Sequence, residues 1–364
     1  LTAQCSPYHQ ERSLFPIAGM VQRDLVALEP DKSDPERLEA LERLLRERGW
    51  SLEETMPLLG PLLSLNVSYP PLQLAPERQQ QLLLEHLVAL LVETAEVSPV
   101  LLVVEDLHWA DDGTLRLIGM LIDQLPTSRI LLLLTHRPEF VPTWGARTHV
   151  SQLAMDRLPE REAERIVARV ASGSDLPLQV VRRIIQRADG VPLFVEELTK
   201  ALLEAGAAAA DAGAAEIIIP ATLQDSLAAR LDRLGAAKRL AQIAATIGRE
   251  FPRPLLAAVA DLDEASLDQQ LDLLVEGEFV HRRGVGPRAR FVFKHALIQD
   301  AAYGTLLKAS RRDYHGRIAQ ALVSGFPQVC EAQPELVALH FAEAALYEQA
   351  ATYGVAAAQN AARR

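Results

Sequence analysis

The chain has 364 residues, of which 49% are hydrophobic and 23% charged, and its formal net charge at pH 7 is −11. This length predicts more than one domain, and the acidic balance argues against nucleic acid or an anionic membrane as a partner of the whole chain. Cys5 and Cys330 lie in no metal-binding spacing, so both are expected to be free thiols in a reducing, cytoplasmic compartment. The sequence has no signal-peptide pattern and no apolar run near the ~18 residues of a membrane span.

The first part of the chain predicts helices followed by a parallel sheet. Residues 1–98 are mostly helical in pattern, and two continuous apolar runs then follow at 100–104 and Ile130–Leu134. Each run predicts a strand buried on both faces of a parallel sheet. The residues between the runs have helical periodicity, with Asp111 or Asp112 as the N-cap. A strand, a helix and a strand at this spacing predict a βαβ unit and therefore an α/β architecture.

Beyond residue 155 the pattern is mainly helical. A helix is expected from Phe194 to about residue 203, and the alanine-rich stretch 204–216 then predicts a linker. A capping box at 222–225 opens another helix. Two β-prone runs within 279–293 surround a Gly-Val-Gly-Pro turn and follow three helices, which is the outline of a winged helix. From His295 onward the pattern is helical again.

Two adjacent acids, Glu105 and Asp106, directly follow the first apolar run. Ligands of open α/β sheets bind at the carboxyl ends of strands, so these acids are candidates for holding Mg²⁺ and for orienting or deprotonating a water in phosphoryl transfer. Arg137 follows the second run and is a candidate for contacting a terminal phosphate. The alternatives are that the acids only end a strand and that Arg137 is a solvated side chain before a proline turn.

Two further candidates are weaker when considered alone. Pro192 lies in a Gly-Val-Pro-Leu sequence, which is most simply a helix break, and His295 beside the hairpin is most simply structural. The hairpin also carries a local basic cluster: Arg282, Arg283, Arg288 and Arg290. Alternate residues of a hairpin face solvent in any case, so this cluster by itself does not predict nucleic-acid binding.

Five motifs occur in a fixed order over nearly the whole chain: CSPYHQ, LLVVEDLHWAD, LLLLTHRPE, GVPLFVEEL and FKHALIQDAAYGTLL. Together they resemble the signal-transducing ATPases with numerous domains (STAND), an AAA-type class. More narrowly, they resemble bacterial proteins that join a class III adenylate/guanylate cyclase domain to such an ATPase and a tetratricopeptide tail. The resemblance implies a multidomain α/β plus α chain with four parts: an incomplete P-loop NTPase-type parallel sheet over 1–155, a helical lid and linker over 156–215, a winged helix over 216–300 and a tetratricopeptide-like start over 301–364.

The resemblance also implies residue roles. Glu105 and Asp106 resemble the Walker B pair for Mg²⁺ and water, and Arg137 resembles the sensor arginine after the next strand. Pro192 resembles the proline that packs near adenine, and His295 resembles the winged-helix histidine that reaches the phosphates. The implied cofactors are ATP or ADP with Mg²⁺. The implied partners are the nucleotide and the upstream and downstream domains of the same chain, with self-association as a further option.

One departure from the family concerns the phosphate-binding loop. The sequence contains no Gly-Lys-Ser/Thr motif, and none of its five lysines follows a glycine. Two explanations stay open. The chain is a fragment that begins just after this loop and ends before further repeats, or it is a degenerate relative that does not hydrolyse ATP. In either case we expect the chain alone to bind nucleotide weakly or not at all, and to be inactive.

The expected function is therefore an ATP-binding and ATP-hydrolysing switch segment of a multidomain signalling protein that regulates an attached class III nucleotide cyclase. One alternative is the ATPase segment of a LuxR-type transcriptional regulator, which would bind DNA through another domain. A second alternative is a non-catalytic helical scaffold.

Overall fold

The computed structural model describes residues 1–6, 10, 12–26, 34–171, 176–212 and 222–363. Its contacts divide the chain into two compact units, residues 1–153 and 154–362. Each unit is described by itself. Among the described helices, none combines the length and the apolar composition needed to cross a bilayer.

The first unit contains a three-stranded parallel sheet in the order β1-β2-β3. Its strands are β1 (Thr2–Gln4), β2 (Val100–Glu105) and β3 (Ile130–Leu134). Its helices are α1 (Phe15–Met20), α2 (Asp34–Glu47), α3 (Leu52–Leu62), α4 (Pro76–Val97) and α5 (Asp112–Gln124). The predicted βαβ unit is confirmed, because β2, α5 and β3 follow one another and the two strands pair in parallel.

The sheet of the first unit is buried on one face only. Leu102 and Val104 of β2 are 2% and 0% exposed and lie in one apolar cluster with side chains of α4 and α5. On the opposite face, Leu101, Leu131 and Leu133 are 50%, 68% and 50% exposed. The prediction that both strands are buried on both faces is therefore wrong. Within the described residues, packed helices cover only the face that carries Leu102 and Val104. A continuous apolar run in a sequence does not reveal whether one or both faces of the strand are covered.

A buried aspartate fixes the start of α5. The Oδ1 atom of Asp111 accepts hydrogen bonds from the backbone N–H of Thr114 at 2.9 Å and of Leu14 at 2.9 Å. Its Oδ2 atom accepts a bond from the Thr114 hydroxyl at 2.6 Å. Of the two predicted caps, Asp111 is therefore the one that acts, and it also ties the segment after β2 to the start of α1.

The second unit begins with three helices that have their own apolar core. They are α6 (Glu160–Val170), α7 (Leu178–Ala188) and α8 (Pro192–Ala212). Helix α8 runs further than the sequence pattern predicted, so the linker predicted over 204–216 is wrong up to Ala212. Alanine has the highest helix propensity, which favours continuation of the helix through this low-complexity stretch. The remainder of the predicted linker, 213–216, lies outside the described residues.

Five helices and a small antiparallel sheet follow, and they share a second core. The sheet order is β4-β6-β5, with β4 (Glu250–Pro252), β5 (Val280–Arg283) and β6 (Arg290–Phe293). The helices are α9 (Leu223–Arg233), α10 (Ala236–Ile247), α11 (Arg253–Ala260), α12 (Glu264–Glu276) and α13 (Ala296–Gly304). The predicted hairpin is confirmed as β5 and β6. The predicted cap of α9 is also confirmed, since the Thr222 hydroxyl accepts from the Asp225 N–H at 3.0 Å.

The last segment is helical, as predicted, with α14 (Lys308–Gly325), α15 (Pro327–Ala332), α16 (Pro334–Glu343) and α17 (Tyr347–Arg363). A buried histidine pair joins α14 to α16: the Nδ1 atoms of His315 and His340 lie 2.8 Å apart. The Tyr303 hydroxyl lies 3.1 Å from the Nε2 atom of His315. Burial lowers the pKa of His315 to about 4, with a smaller contribution from the charge of Arg311. Burial likewise lowers the pKa of His340 to about 3.

Candidate functional site

The two acids predicted from the sequence lie at the carboxyl end of β2, the central strand of the parallel sheet. Glu105 is the last residue of β2, and its backbone carbonyl accepts a hydrogen bond from the Cys5 N–H at 3.0 Å. Asp106 follows in the left-handed region, with φ 59° and ψ 43°. Few residues other than glycine adopt this conformation, and aspartate is among those that tolerate it. The turn directs the chain out of the strand and leaves both carboxylates at the sheet edge.

The neighbouring strand fixes the backbone of this turn. Thr135, the residue after β3, accepts the Asp106 N–H on its hydroxyl at 3.1 Å and the Leu107 N–H on its carbonyl at 2.9 Å. On the other side, the Nε2 atom of Gln4, at the end of β1, donates to the Oδ2 atom of Asp106 at 3.3 Å. All three strands therefore contribute to holding Asp106.

Arg137 reaches the same edge from the end of β3. Its guanidinium carbon lies 5.3 Å from the ring centroid of Trp109, a residue of the short turn that follows Asp106. The side chain is otherwise exposed. Three of the five residues singled out in the sequence, Glu105, Asp106 and Arg137, thus lie at one end of one sheet.

His108 is a residue of this edge that the sequence reasoning did not single out. Both of its ring nitrogens are buried and have no hydrogen-bond partner among the described residues. Its ring centroid lies 4.3 Å from that of Trp109. Burial, followed by the charge of Arg137, lowers the pKa of His108. A buried polar atom without a partner costs about 1–3 kcal/mol, so His108 marks a place where an interaction is missing. The signal was available, because a histidine stands here in an otherwise apolar turn.

Carboxylate charges act on the buried thiol near this edge. The pKa of the buried Cys5 thiol is raised to about 12, mainly by burial and further by the charges of Asp111 and Asp106. A negative site of this kind attracts cations and repels phosphate, so a nucleotide here needs a bridging metal or added cations. Of the other motif residues near β1, Pro7, Tyr8 and His9 lie outside the described residues.

The donor set of the edge suits Mg²⁺. Mg²⁺ is usually bound through one or two carboxylates, with waters and substrate phosphates completing the coordination shell. Glu105 and Asp106 provide two adjacent carboxylates of this kind. Among the described residues there is no cluster of three or more His, Cys, Asp or Glu side chains that could hold a metal by protein ligands alone. The site therefore fits a metal that arrives with a phosphate ligand better than a permanently bound structural metal.

The remaining two candidates, Pro192 and His295, belong to the second unit. Pro192 is the exposed first residue of α8. It follows Gly190, where φ is +70° and an added Cβ would lie 2.8 Å from the Leu158 carbonyl oxygen, so this turn requires glycine. His295 is the half-buried residue before α13. Burial and then the charge of Lys294 lower its pKa.

Part of the first unit is similar to a known protein family. Residues 1–134 match the family model described as AAA ATPase domain. This segment is therefore similar to AAA ATPase domains. It contains β1, β2 and β3 together with both edge carboxylates. An AAA ATPase domain implies nucleotide binding, usually with Mg²⁺.

Two individual proteins are similar to a larger part of the chain. An uncharacterized protein of Rhizobium meliloti (strain 1021) is 28% identical over 277 residues, which cover 73% of this chain and 26% of that protein. The crystal structure of a STAND protein with a tetratricopeptide repeat sensor from Pyrococcus horikoshii matches 98% of this chain and 53% of its own, with a TM-score of 0.51 and 10% identity. At this identity the likeness shows the fold alone. The chain spans only about a quarter of the curated relative and about half of the structural neighbour.

Proposed function

We propose that this chain is an ATP-binding and ATP-hydrolysing switch segment of a multidomain signalling protein. The observation that carries the proposal is the meeting of Glu105, Asp106 and Arg137 at the carboxyl edge of a parallel sheet within an AAA ATPase-type segment. Open α/β sheets bind their ligands at this edge. A fold like that of a STAND protein is consistent with a switch role.

Within this proposal each edge residue has one task. Asp106, held by Gln4 and Thr135, is the Walker B carboxylate that positions the metal. Glu105 orients the attacking water and accepts its proton, and Arg137 stabilises negative charge on the terminal phosphate. When bound, Mg²⁺ neutralises charge on the phosphate oxygens.

In the second unit, Pro192 is proposed to contact adenine and His295 to contact the phosphates. Residues 216–300 are proposed to form a winged helix, and the helices after residue 300 are proposed to begin a tetratricopeptide-like array. The antiparallel sheet β4-β6-β5, with helices before, between and after its strands along the chain, supports the winged-helix assignment.

The phosphate-binding group is proposed to come from outside these 364 residues. The sequence has no Gly-Lys-Ser/Thr motif, and the edge described above supplies carboxylates rather than backbone N–H groups for phosphate. The output is proposed to be an attached class III nucleotide cyclase, which rests on the motif resemblance alone.

One observation favours a second candidate function. The absence of a phosphate loop from the sequence is also what a non-catalytic helical scaffold would have. The two candidates differ in one respect: the switch retains a metal-dependent affinity for nucleotide at the sheet edge, and the scaffold has none.

A titration with a fluorescent ATP analogue tests the proposal. We expect the wild-type chain to bind in the millimolar range and only with Mg²⁺, and Asp106→Asn to lose this binding. Asp112→Asn is the matched control, because it removes the same charge from an exposed position a few residues away. Micromolar affinity of the chain alone would contradict the external phosphate-binding group. Binding that Asp106→Asn leaves unchanged would contradict the assigned edge.

A further inference from the structure

Helix α8 is joined to the hairpin region of the second unit by charged side chains. The helices α6–α8 pack around one apolar cluster, and the hairpin sheet with its helices packs around another. Leu223 is a partly buried side chain that packs against both clusters. Contacts between parts of a chain that do not share a core permit relative motion. Charged contacts are among those that hold α8 to the hairpin region.

Four side chains form a closed ring of alternating charge, here called the four-charge cluster: Glu196 and Lys200 of α8, Glu278 before β5 and Lys294 after β6. Lys200 Nζ lies 2.6 Å from Glu196 Oε1 and also pairs with Glu278. Lys294 Nζ lies 3.1 Å from Glu196 Oε1 and 2.9 Å from Glu278 Oε2. Each lysine contacts both carboxylates, so the cluster links α8 to both strands of the hairpin.

The cluster is partly buried: the side chains of Lys200, Lys294 and Glu196 are 17%, 21% and 29% exposed. Hydrogen bonds from Lys200 and Lys294 lower the pKa of Glu278 to about 2. Burial acts to lower the pKa of Lys294, but hydrogen bonds to Glu278 and Glu196 raise it to about 12. The Glu278 side chain is 50% exposed. Exposed ion pairs are weak and screened by salt, so water and ions can compete for these contacts.

The backbone at Glu278 is left-handed in the turn that follows α12, where the Glu278 N–H donates to the Val275 carbonyl. Its φ is 57°, in the left-handed region that favours glycine. A glycine at this position would adopt the conformation without strain. The glutamate is therefore strained where it stands, and the contacts that its carboxylate makes are those to Lys200 and Lys294.

A second ion pair of α8 differs from the four-charge cluster because it is almost completely buried. The side chains of Arg230 in α9 and Glu197 in α8 form an ion pair and are only 2% and 1% exposed. Arg230 also donates to the Gly277 carbonyl at 2.8 Å, and its guanidinium carbon lies 4.8 Å from the Phe279 ring centroid. Water cannot compete for a buried contact of this kind, so it is retained while the exposed contacts exchange.

We propose that the four-charge cluster is an electrostatic latch that closes α8 against the hairpin, while the buried Arg230–Glu197 pair holds α8 to α9 and, through Gly277 and Phe279, to the start of the hairpin as a pivot. Glu196 lies one turn after Pro192 on α8, and Lys294 is the residue before His295. The latch thereby holds the two residues assigned to nucleotide contact in one arrangement. That consequence rests on the proposed function, whereas the latch itself does not.

Hydrogen exchange measured by mass spectrometry on the whole chain without nucleotide tests the latch. In Glu278→Lys three cations face Glu196, and we expect about tenfold faster exchange in peptides covering 192–204 and 277–295. Adding Lys200→Glu makes the contact between residues 200 and 278 attractive again and leaves the Lys294–Glu196 pair in place, so exchange should return close to the wild-type rate. High salt should speed exchange in the wild type and have little effect in Glu278→Gly.

Two further variants separate a latch from a merely structural contact. Glu278→Gly removes the carboxylate and relieves the strained backbone, so it should open the latch without lowering the melting temperature. Glu250→Lys is the matched control, because Glu250 is an exposed acid of the same sheet that faces two arginines, Arg283 and Arg290, and does not touch α8. It should leave exchange in 192–204 unchanged.

Three results would overturn the latch: wild-type exchange in Glu278→Lys, no recovery in the charge-swapped double variant, or an equal effect of Glu250→Lys. Because no nucleotide is present in these experiments, a chain that fails to bind ATP can still show the latch, and the two proposals fail separately.

Discussion

The two sheets of this protein differ in how completely the surrounding residues bury their apolar side chains. The antiparallel sheet of the second unit buries its large apolar side chains, with Phe251 and Phe293 0% and 1% exposed, and its exposed positions carry charged residues such as Glu250 and Arg290. The parallel sheet of the first unit leaves Leu131 68% exposed and ends beside a histidine whose buried ring nitrogens lack partners among the described residues. The buried side chains of the antiparallel sheet form part of an apolar core. The parallel sheet instead exposes apolar side chains on one face, and this contrast leads to the predictions below.

The largest expected effect is that of truncating a buried side chain in the antiparallel sheet. Phe251→Ala should lower the free energy of unfolding of the second unit by about 3–5 kcal/mol, because a fully buried ring is replaced by a cavity. Leu131→Ala in the parallel sheet should change stability by no more than about 0.5 kcal/mol, because that side chain is exposed. Urea unfolding can separate the units, since all three tryptophans, Trp50, Trp109 and Trp144, lie in the first. Similar losses in both variants would remove the contrast between the sheets.

The next largest effect concerns the pivot in α8. Glu197→Ala leaves the guanidinium of Arg230 buried with fewer partners, and should destabilise the second unit by about 3 kcal/mol. Glu278→Gln, in the four-charge cluster, should cost less than about 1 kcal/mol. Thermal unfolding followed by circular dichroism measures both. If Glu278→Gln were the more damaging of the two, the assignment of pivot and latch would be reversed.

Acid should weaken the second unit through its histidine pair. The folded pKa values of His315 and His340, about 4 and about 3, lie below their ordinary value, so the unfolded chain binds more protons. The stabilisation is complete above pH ~6.5 and is lost progressively as the pH falls toward the folded values, by roughly 1.4 kcal/mol per pH unit for each histidine. Urea unfolding at a series of pH values should show this slope, and His340→Gln should reduce it. An unchanged slope in His340→Gln would assign the acid sensitivity to other groups.

The smallest expected effect is in the cap that shapes the first unit. Asp111→Ala should lower the stability of that unit by about 1–2 kcal/mol, because it removes the cap of α5 and the acceptor of the Leu14 N–H. Asp112→Ala, at an exposed position in the same turn, is the control and should have a much smaller effect. Tryptophan fluorescence during urea unfolding reports both. Equal effects would show that the charge at this helix start matters more than the cap.

Features encoded by neighbouring residues could be predicted from the sequence. The apolar runs gave β2 and β3, the turn residues gave the hairpin of β5 and β6, and Asp111 and Thr222 gave helix starts. The edge position of Glu105, Asp106 and Arg137 followed from the rule that parallel strands end together. Strand β4 was missed, because three residues are too few to show a periodic pattern.

Features that depend on distant residues could not be predicted. The exposed face of Leu131 depends on which helices cover the sheet, and an apolar run carries no signal for that. The four-charge cluster brings together Lys200 and Glu278, 78 residues apart, and only the tertiary fold places them in contact. The sequence shows a histidine in the apolar turn after Asp106, but the burial of both its ring nitrogens depends on how that turn packs.

The most direct test of the central claim uses Trp109 as a reporter at the sheet edge, beside Arg137 and His108. In a chain with Trp50→Phe and Trp144→Phe, Trp109 is the only tryptophan, and its fluorescence is followed as Mg²⁺-ATP is added to millimolar concentration. The account predicts a saturable change that requires Mg²⁺ and disappears with Asp106→Asn. No change, or a change that Asp106→Asn leaves intact, would contradict a metal-nucleotide site at this edge.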